Sequence, residues 1–205
     1  MIRAGHRPFY VWFFNLYSKW MIRYHFRRVV LTGEVTTTDM PVMLIGNHFS
    51  WWDGFIACYL NRRLFRKKFH VMMLEEQLRQ RMFLSRAGAY SIRKNSRSII
   101  ESINYTVELL QDKNNLVVMY PQGEFSSIYT SRISFEKGIS TVAGRLEGRF
   151  RMFFYAALID YFAYRKPTLY LYVKEFSPEE ALTASLLESA YHSFYTECIE
   201  QQKPG

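Results

Sequence analysis

The stretch "PVMLIGNHFSWWDG", residues 41–54, decides how the rest of the chain is read. Its first six residues are a short apolar run bounded by Pro41 and Gly46, the pattern of a buried strand. Asp53 then begins a segment that reads as a helix to about Asn61. His48 and Asp53 stand five residues apart in between. At that spacing side chains point to opposite faces of a strand and lie about 140° apart on an ideal helix, so neither regular element brings them together. A turn leaving the strand and entering the helix does. In open α/β sheets that position, beyond the carboxyl end of a strand, is where ligands bind. An aspartate bonded to one imidazole nitrogen fixes the tautomer and leaves the other nitrogen to take a proton. Two readings of the pair stand at this point: a base with its orienting group, or a loop histidine followed by a helix cap.

Outward from this unit the chain alternates strand and helix patterns. "FHVMML" (69–74) reads as a strand, "EEQLRQRMFLSR" (75–86) as a helix and "AYSIR" (89–93) as a strand. Ile99, Ile100, Ile103, Val107 and Leu110 repeat at helical spacing behind the cap candidates Asn95 and Ser96. "NLVVMYP" (115–121) is a buried strand stopped by Pro121, and "FFYAALI" (153–159) and "TLYLYV" (168–173) continue the series. In "SPEE" (177–180) Ser177 caps, Pro178 takes the first helical position and Glu180 stands three residues after the cap, opening a helix to about Glu200. No repeat, low-complexity tract or linker interrupts the pattern. The expected fold is a single α/β domain, a mostly parallel mixed sheet flanked by helices, with an amphipathic aromatic helix at the N-terminus.

That helix is residues 9–27, "FYVWFFNLYSKWMIRYHFR", with an aromatic stripe at Phe9, Trp12, Phe13, Leu16, Trp20 and Tyr24. Lys19, Arg23 and Arg27 lie largely on another face. Either the stripe lies in a membrane interface or it packs on the core. Aromatics outnumber aliphatics, which favours the membrane. The chain divides accordingly into an N-terminal membrane-interface helix (1–27) and a globular domain (28–205).

At 205 residues the chain is long enough to bury a core without disulfides or metals. Its net charge of +9 calls for an anionic partner: nucleic acid, an acidic carrier protein or an anionic membrane surface. The cluster "RRLFRKK" (62–68), five cations in seven residues, serves either such a partner or a solvated turn. The aromatics concentrate in one helix and in buried-looking strands, which counts against a nucleic-acid-binding module. Cys58 and Cys198 are far apart and have no metal-ligand spacing, so a reducing compartment, no metal and no cofactor are expected. No apolar run reaches transmembrane length, and the N-terminal stretch lacks a signal-peptide cleavage pattern.

"NHFSWWD" (47–53) resembles the N-H-x4-D block of the lysophospholipid acyltransferase family, the glycerolipid acyltransferases. Further blocks follow in that family's order over about residues 28–175. "GAYSIRK" (88–94) is similar to its second block and "VVMYPQGEFS" (117–126) to its third; "FEKG" (135–138) and "FFYAALI" resemble its downstream segments. The resemblance implies a glycerol-3-phosphate acyltransferase-like fold. It further implies transfer of a fatty acyl group from acyl-CoA or an acyl-carrier protein to a hydroxyl or amine of a lipid acceptor, at the cytoplasmic face of the cell membrane. It makes His48 the general base and Asp53 its orienting partner. Asn47, Gly88, Arg93, Pro121, Gln122, Gly123, Glu124, Ser126 and Lys137 become substrate-binding candidates. No nucleic acid is implied.

The third block departs from the family pattern, which has Glu after Pro and an Arg three residues further on. Here those positions hold Gln122 and Phe125, and Glu124 replaces a small hydroxyl residue. Such an Arg is a natural phosphate ligand, so its loss weakens the expectation of a lysophosphatidic acid acceptor. Arg93, Lys94, Arg97, Arg132 and Lys137 remain as candidate phosphate ligands.

Overall fold

The computed structural model describes every residue except 37, 94–98, 131, 137, 147, 178–181 and 203–205. Thirteen regular elements alternate along the described chain: α1 (Pro8–His25), β1 (Arg28–Thr32), β2 (Val42–Gly46), α2 (Asp53–Leu60), β3 (Lys68–Leu74), α3 (Glu75–Gln80), β4 (Ala89–Ile92), α4 (Ile99–Leu109), β5 (Asn115–Met119), α5 (Gly138–Leu146), β6 (Arg151–Asp160), β7 (Thr168–Phe176) and α6 (Ala184–Glu200). The strands form one sheet in the order β1-β7-β6-β2-β5-β3-β4. β6, β2, β5, β3 and β4 are parallel, β7 turns back antiparallel to β6, and β1 runs with β7. This is the expected single α/β domain with a mostly parallel sheet.

β2 lies at the centre and is buried on both faces, as parallel strands covered by crossover helices must be. Val42 and Leu44 join Ile22, Ile56 and Leu60 beneath α1 and α2. Met43 and Ile45 pack on the opposite face with Tyr105, Val142 and Tyr191 of α4, α5 and α6. Gly46 closes the strand with no room for a side chain: an added Cβ would lie 2.0 Å from the ring of Tyr155 on neighbouring β6.

Helix α1 turns its aromatic stripe outward. Phe9, Trp12, Phe13, Leu16, Trp20 and Tyr24 are all exposed, whereas Ser18 and Ile22 are its buried residues. The buried Ser18 hydroxyl is satisfied by the carbonyl of Phe14. The reading in which the stripe packs on the core is therefore wrong. The residues before α1 are tied into the fold: Ser91 N–H donates to the Ile2 carbonyl, and Gly5 and Arg7 N–H donate to the carbonyls of Ser85 and Arg86.

Several boundaries differ from the sequence reading. The helix expected over 75–86 breaks at Arg81 into α3 and a 3₁₀ segment, Met82–Ala87. α6 is capped by Thr183, whose hydroxyl accepts the Leu186 N–H, and not by Ser177. Most of "SPEE", and the cap candidates Asn95 and Ser96, lie outside the described residues. α2 continues into one π-turn, Asn61–Phe65, that ends at a left-handed Arg66 (φ 55°). The 62–68 cluster thus falls at the amino ends of the strands, where the Lys68 N–H meets the Asn114 carbonyl, roughly one strand length (about 17 Å) from the His48 end. Lys67 is spent there on the carbonyls of Thr38 and Lys113.

Candidate active site

His48 lies two residues past the end of β2, in the turn before α2, and the turn brings it onto Asp53. Nδ1 of His48 and Oδ2 of Asp53 are 2.7 Å apart. The same oxygen accepts the backbone N–H groups of Phe49 and Ser50, at 2.8 and 3.0 Å. Asp53 is thus already inside α2 and reaches back over the turn, so it orients the histidine and braces the loop but is not the helix cap. The Asp53 side chain is 1% exposed, and burial pushes its carboxyl up from the ordinary range against the hydrogen bonds from His48, Ser50 and Phe49. A carboxylate so placed can hold the ring in one orientation and offer a negative partner to an imidazolium formed during proton transfer. With Nδ1–H donated to Asp53, Nε2 carries the lone pair, and it has no hydrogen-bond partner among the described residues.

The segment from Tyr120 to Ser126 clasps His48 from the far side. Gln122 Oε1 accepts the His48 N–H at 2.6 Å, and the Ser126 N–H donates to the His48 carbonyl at 2.9 Å. The imidazole stacks on Tyr120, with centroids 4.3 Å apart and planes 13° off parallel, and Phe125 covers it from 4.3 Å. Tyr155 donates its hydroxyl to that of Tyr120, and burial pushes both phenols well up, keeping them neutral. Gly123 takes φ 65° and returns its N–H to the Tyr120 carbonyl, making the turn that lets both ends of the segment reach His48.

The remaining candidates fall in different places. Asn47 is buried, and its amide bonds both backbone groups of Ala157 on β6, so it pins the turn to the sheet, and it is not on the lining of the cavity beside His48. Gly88 is a left-handed helix terminus (φ 114°) packed against the Phe69 carbonyl, a backbone requirement away from His48. Arg93 is drawn to Glu75, 2.6 Å away, which also binds Arg79; these guanidinium groups pull the Glu75 carboxyl down to about 2. Pro121, Gly123 and Glu124 line the cavity beside His48. Lys137, Lys94 and Arg97 lie outside the described residues. Tyr120, Phe125 and Glu136 were not among the sequence candidates. Tyr120 and Phe125 lie inside the third block, but their contact with His48 depends on the fold of a loop some 70 residues downstream, which no spacing rule reports.

From His48 a cavity of about 560 Å³ runs between the sheet, α1 and α2. Its walls are mainly apolar, supplied by Phe14, Phe55, Val71, Met73, Leu84 and Ile103 among others. Its volume falls in the range of small-molecule sites. The charged side chains on its lining, among the described residues, are Glu124 and Glu136; no Lys or Arg is there. No cluster of metal-ligating groups is found among the described residues.

Residues 28–155 match the family model described as Acyltransferase. The structure resembles the crystal structure of the 1-acyl-sn-glycerophosphate (LPA) acyltransferase PlsC from Thermotoga maritima, with a TM-score of 0.65 and 12% sequence identity over 95% of this chain and 81% of that one. At that identity the likeness is one of fold. No match was found among curated protein sequences. The family match covers the central strands, the His48 turn and the segment that clasps it, and on this ground the chain is an acyltransferase, a member of the Acyltransferase family.

Proposed function

We propose that the protein transfers a fatty acyl group from an acyl thioester, on coenzyme A or an acyl-carrier protein, to a hydroxyl or amine of a lipid acceptor at a membrane surface. The observation that carries this reading is His48. It is bonded through Nδ1 to a dry Asp53 and stands at the end of an apolar cavity with Nε2 unpaired among the described residues. Nε2 takes the proton from the acceptor as its oxygen or nitrogen attacks the thioester carbonyl. The tetrahedral adduct then collapses, the C–S bond breaks, and the proton on His48 goes to the departing thiolate. Acyl transfer is direct.

Two carboxylates and no described cation on the cavity lining favour an acceptor head that is uncharged or cationic over a phosphate monoester. The exposed aromatic stripe of α1, flanked by the exposed Lys19 and Arg23, supports peripheral attachment to a bilayer, and the family resemblance implies its cytoplasmic face. No described helix is long and apolar enough to cross a membrane. Truncating residues 1–27 would strip the buried Ile22 and Phe26 out of the core, so the test of attachment is replacement of outward rings, Trp12→Ser with Trp20→Ser. Vesicle binding unaffected by that pair would refute the attachment. The reaction is tested by comparing the lipids of cells with and without the protein, and with His48→Ala. An acylated lipid absent from the deletion and restored by the wild type but not by His48→Ala is expected. Restoration by His48→Ala would sink the mechanism.

A further inference from the structure

The hairpin between β6 and β7 takes no part in the site around His48. Its tip presents Tyr161, Phe162 and Tyr164, which are 58%, 42% and 40% exposed, followed by the exposed Arg165 and Lys166. Tight turns between antiparallel strands are normally made of Gly, Asn and Asp. This one is aromatic. The Tyr164 N–H returns to the Tyr161 carbonyl at 2.9 Å, and Phe162, the second residue of that turn, has a φ of 44°. This is the left-handed region, which a bulky ring occupies under strain and which Gly or Asn occupies readily. The Phe162 ring meets Tyr170 only edge-on, with centroids 6.4 Å apart. A strained position that keeps a partly exposed ring points to a use for the ring beyond folding.

The hairpin is continuous with the outward face of α1. Lys166 Nζ donates to the Tyr24 carbonyl at 2.8 Å and lies over the Tyr24 ring, which itself stacks on Trp20. Arg27 sits 3.6 Å from the centre of the Tyr164 ring. Charge is one-sided within the two segments themselves, with Glu34 and Asp160 just beyond them. The sequence from Met1 to Gly33 contains six Lys or Arg and no Asp or Glu, and 161–167 contains two cations and no acid.

We propose that the β6–β7 hairpin is a second membrane-contact element, seating Tyr161, Phe162 and Tyr164 at the headgroup level of an anionic bilayer with Arg165 against lipid phosphates, while Lys166 ties the hairpin to α1. The proposal rests on the membrane attachment proposed above and adds to it the off-axis contact that α1 lacks. A helix lying in a surface is free to roll about its own axis. A contact to one side of its end fixes the roll, and with it the direction in which the cavity faces the lipid. The hairpin is suited to this because it leaves the carboxyl end of β6, the same end of the sheet at which His48 leaves the parallel strand β2.

The test is co-sedimentation of the full chain with phosphatidylcholine vesicles containing phosphatidylglycerol, alongside thermal melts, for the wild type, Trp12→Ser, Phe162→Asn and Arg165→Glu. Each cation near an anionic surface is worth about five-fold in partitioning, so Arg165→Glu should lower binding at least about five-fold with no change in melting temperature. Phe162→Asn should lower binding while raising the melting temperature, since Asn relieves the left-handed strain. Hairpin variants that bind like the wild type while Trp12→Ser binds less would overturn the hairpin proposal and leave the α1 attachment standing. A wild type that does not bind vesicles overturns both. A wild-type dimer that Phe162→Asn dissolves, with vesicle binding unchanged, would assign the hairpin to self-association and overturn it as well.

Discussion

The side-chain oxygen of Gln122 accepts the backbone N–H of His48 at 2.6 Å, across 74 residues of sequence. It binds the main chain of the histidine, so its work is to hold the turn at the distance that keeps the ring between Tyr120 and Phe125. This explains why an amide serves where the family pattern has a carboxylate, since both offer an oxygen to an N–H. Gln122→Glu should therefore keep turnover within a few-fold of wild type. Gln122→Leu leaves the His48 N–H without its acceptor and frees the ring to drift. A displacement of about 1 Å at a reacting group costs roughly 10²-fold in rate. Steady-state kinetics on both variants decide the matter, and a Leu variant as active as the Glu variant would show that the latch does not position the base.

Asp53→Asn probes the pair itself. The amide oxygen can still accept the Phe49 and Ser50 N–H groups, so the turn should persist. The negative charge that stabilises an imidazolium is lost, and turnover should fall roughly 10²–10⁴-fold. Two effects on stability oppose each other. A carboxyl pushed up by burial is costly to ionise at neutral pH, and removing it is favourable. The new amide nitrogen, however, takes the place of Asp53 Oδ1, which has no partner, and a buried unmet donor costs about 1–3 kcal/mol. Circular dichroism and a melt near the wild-type value, with turnover lost, are expected. Full activity would remove Asp53 from the mechanism.

The parts of this molecule that were legible in the sequence are those in which one short segment carries the whole signal. "PVMLIG" is apolar throughout because β2 is covered on both faces, and the five-residue gap from His48 to Asp53 has one local solution. What the sequence hid was made by distant pairing. β1 and α5 are short, and neither was picked out by periodicity. The direction of the α1 stripe could not be read, because a wheel shows two faces and not which of them meets the core. Asn47, Gly88 and Arg93 sit in recognisable blocks, yet their partners are Ala157, Phe69 and Glu75, each outside the block that holds the residue it meets.

Gly46 illustrates the same point from the side of packing. It ends β2 in a region of ordinary backbone, and what forbids a side chain is the Tyr155 ring, 2.0 Å from where a Cβ would stand. That ring is fully buried, its hydroxyl bonds Tyr120, and its backbone carbonyl accepts the Tyr191 hydroxyl, so it cannot move aside cheaply. Gly46→Ala should destabilise the fold by about 1–3 kcal/mol, the usual range for overpacking. It should also disturb His48 through Tyr120. Denaturant melts measure the first effect and turnover the second. An unchanged midpoint would mean that β6 has slack at this point.

His70 makes the fold sensitive to acid. Its ring is 1% exposed on β3, edge-on to His6 at 4.7 Å. Asn115 gives its amide N–H to the Leu109 carbonyl, so its oxygen must accept from His70 Nε2, 3.2 Å away. Nε2 then carries the proton, and the buried Nδ1 is left bare without a partner. A second proton would have nothing to bind. Burial, with His6 and Lys68 nearby, outweighs the Asn115 hydrogen bond and Asp112 and pushes this imidazole down to about 3. The unfolded chain takes up the proton near the ordinary value of 6.5 and the folded protein does not. Stability from this group is therefore complete above about pH 6.5 and is lost as the pH falls toward 3, at up to about 1.4 kcal/mol per pH unit for one proton. Glu75, held down to about 2 by Arg93 and Arg79, adds a separate loss that begins only below its ordinary 4.5. Between pH 6.5 and 5 the loss thus comes from His70 and His6, both held below the ordinary value, with the raised Asp53 carboxyl acting in the opposite sense. His70→Gln, which keeps a donor for Asn115 and does not titrate, should flatten that slope in urea melts and leave the one below pH 4.5 in place. A variant with the wild-type slope above pH 5 would show that His70 is not the titrating group.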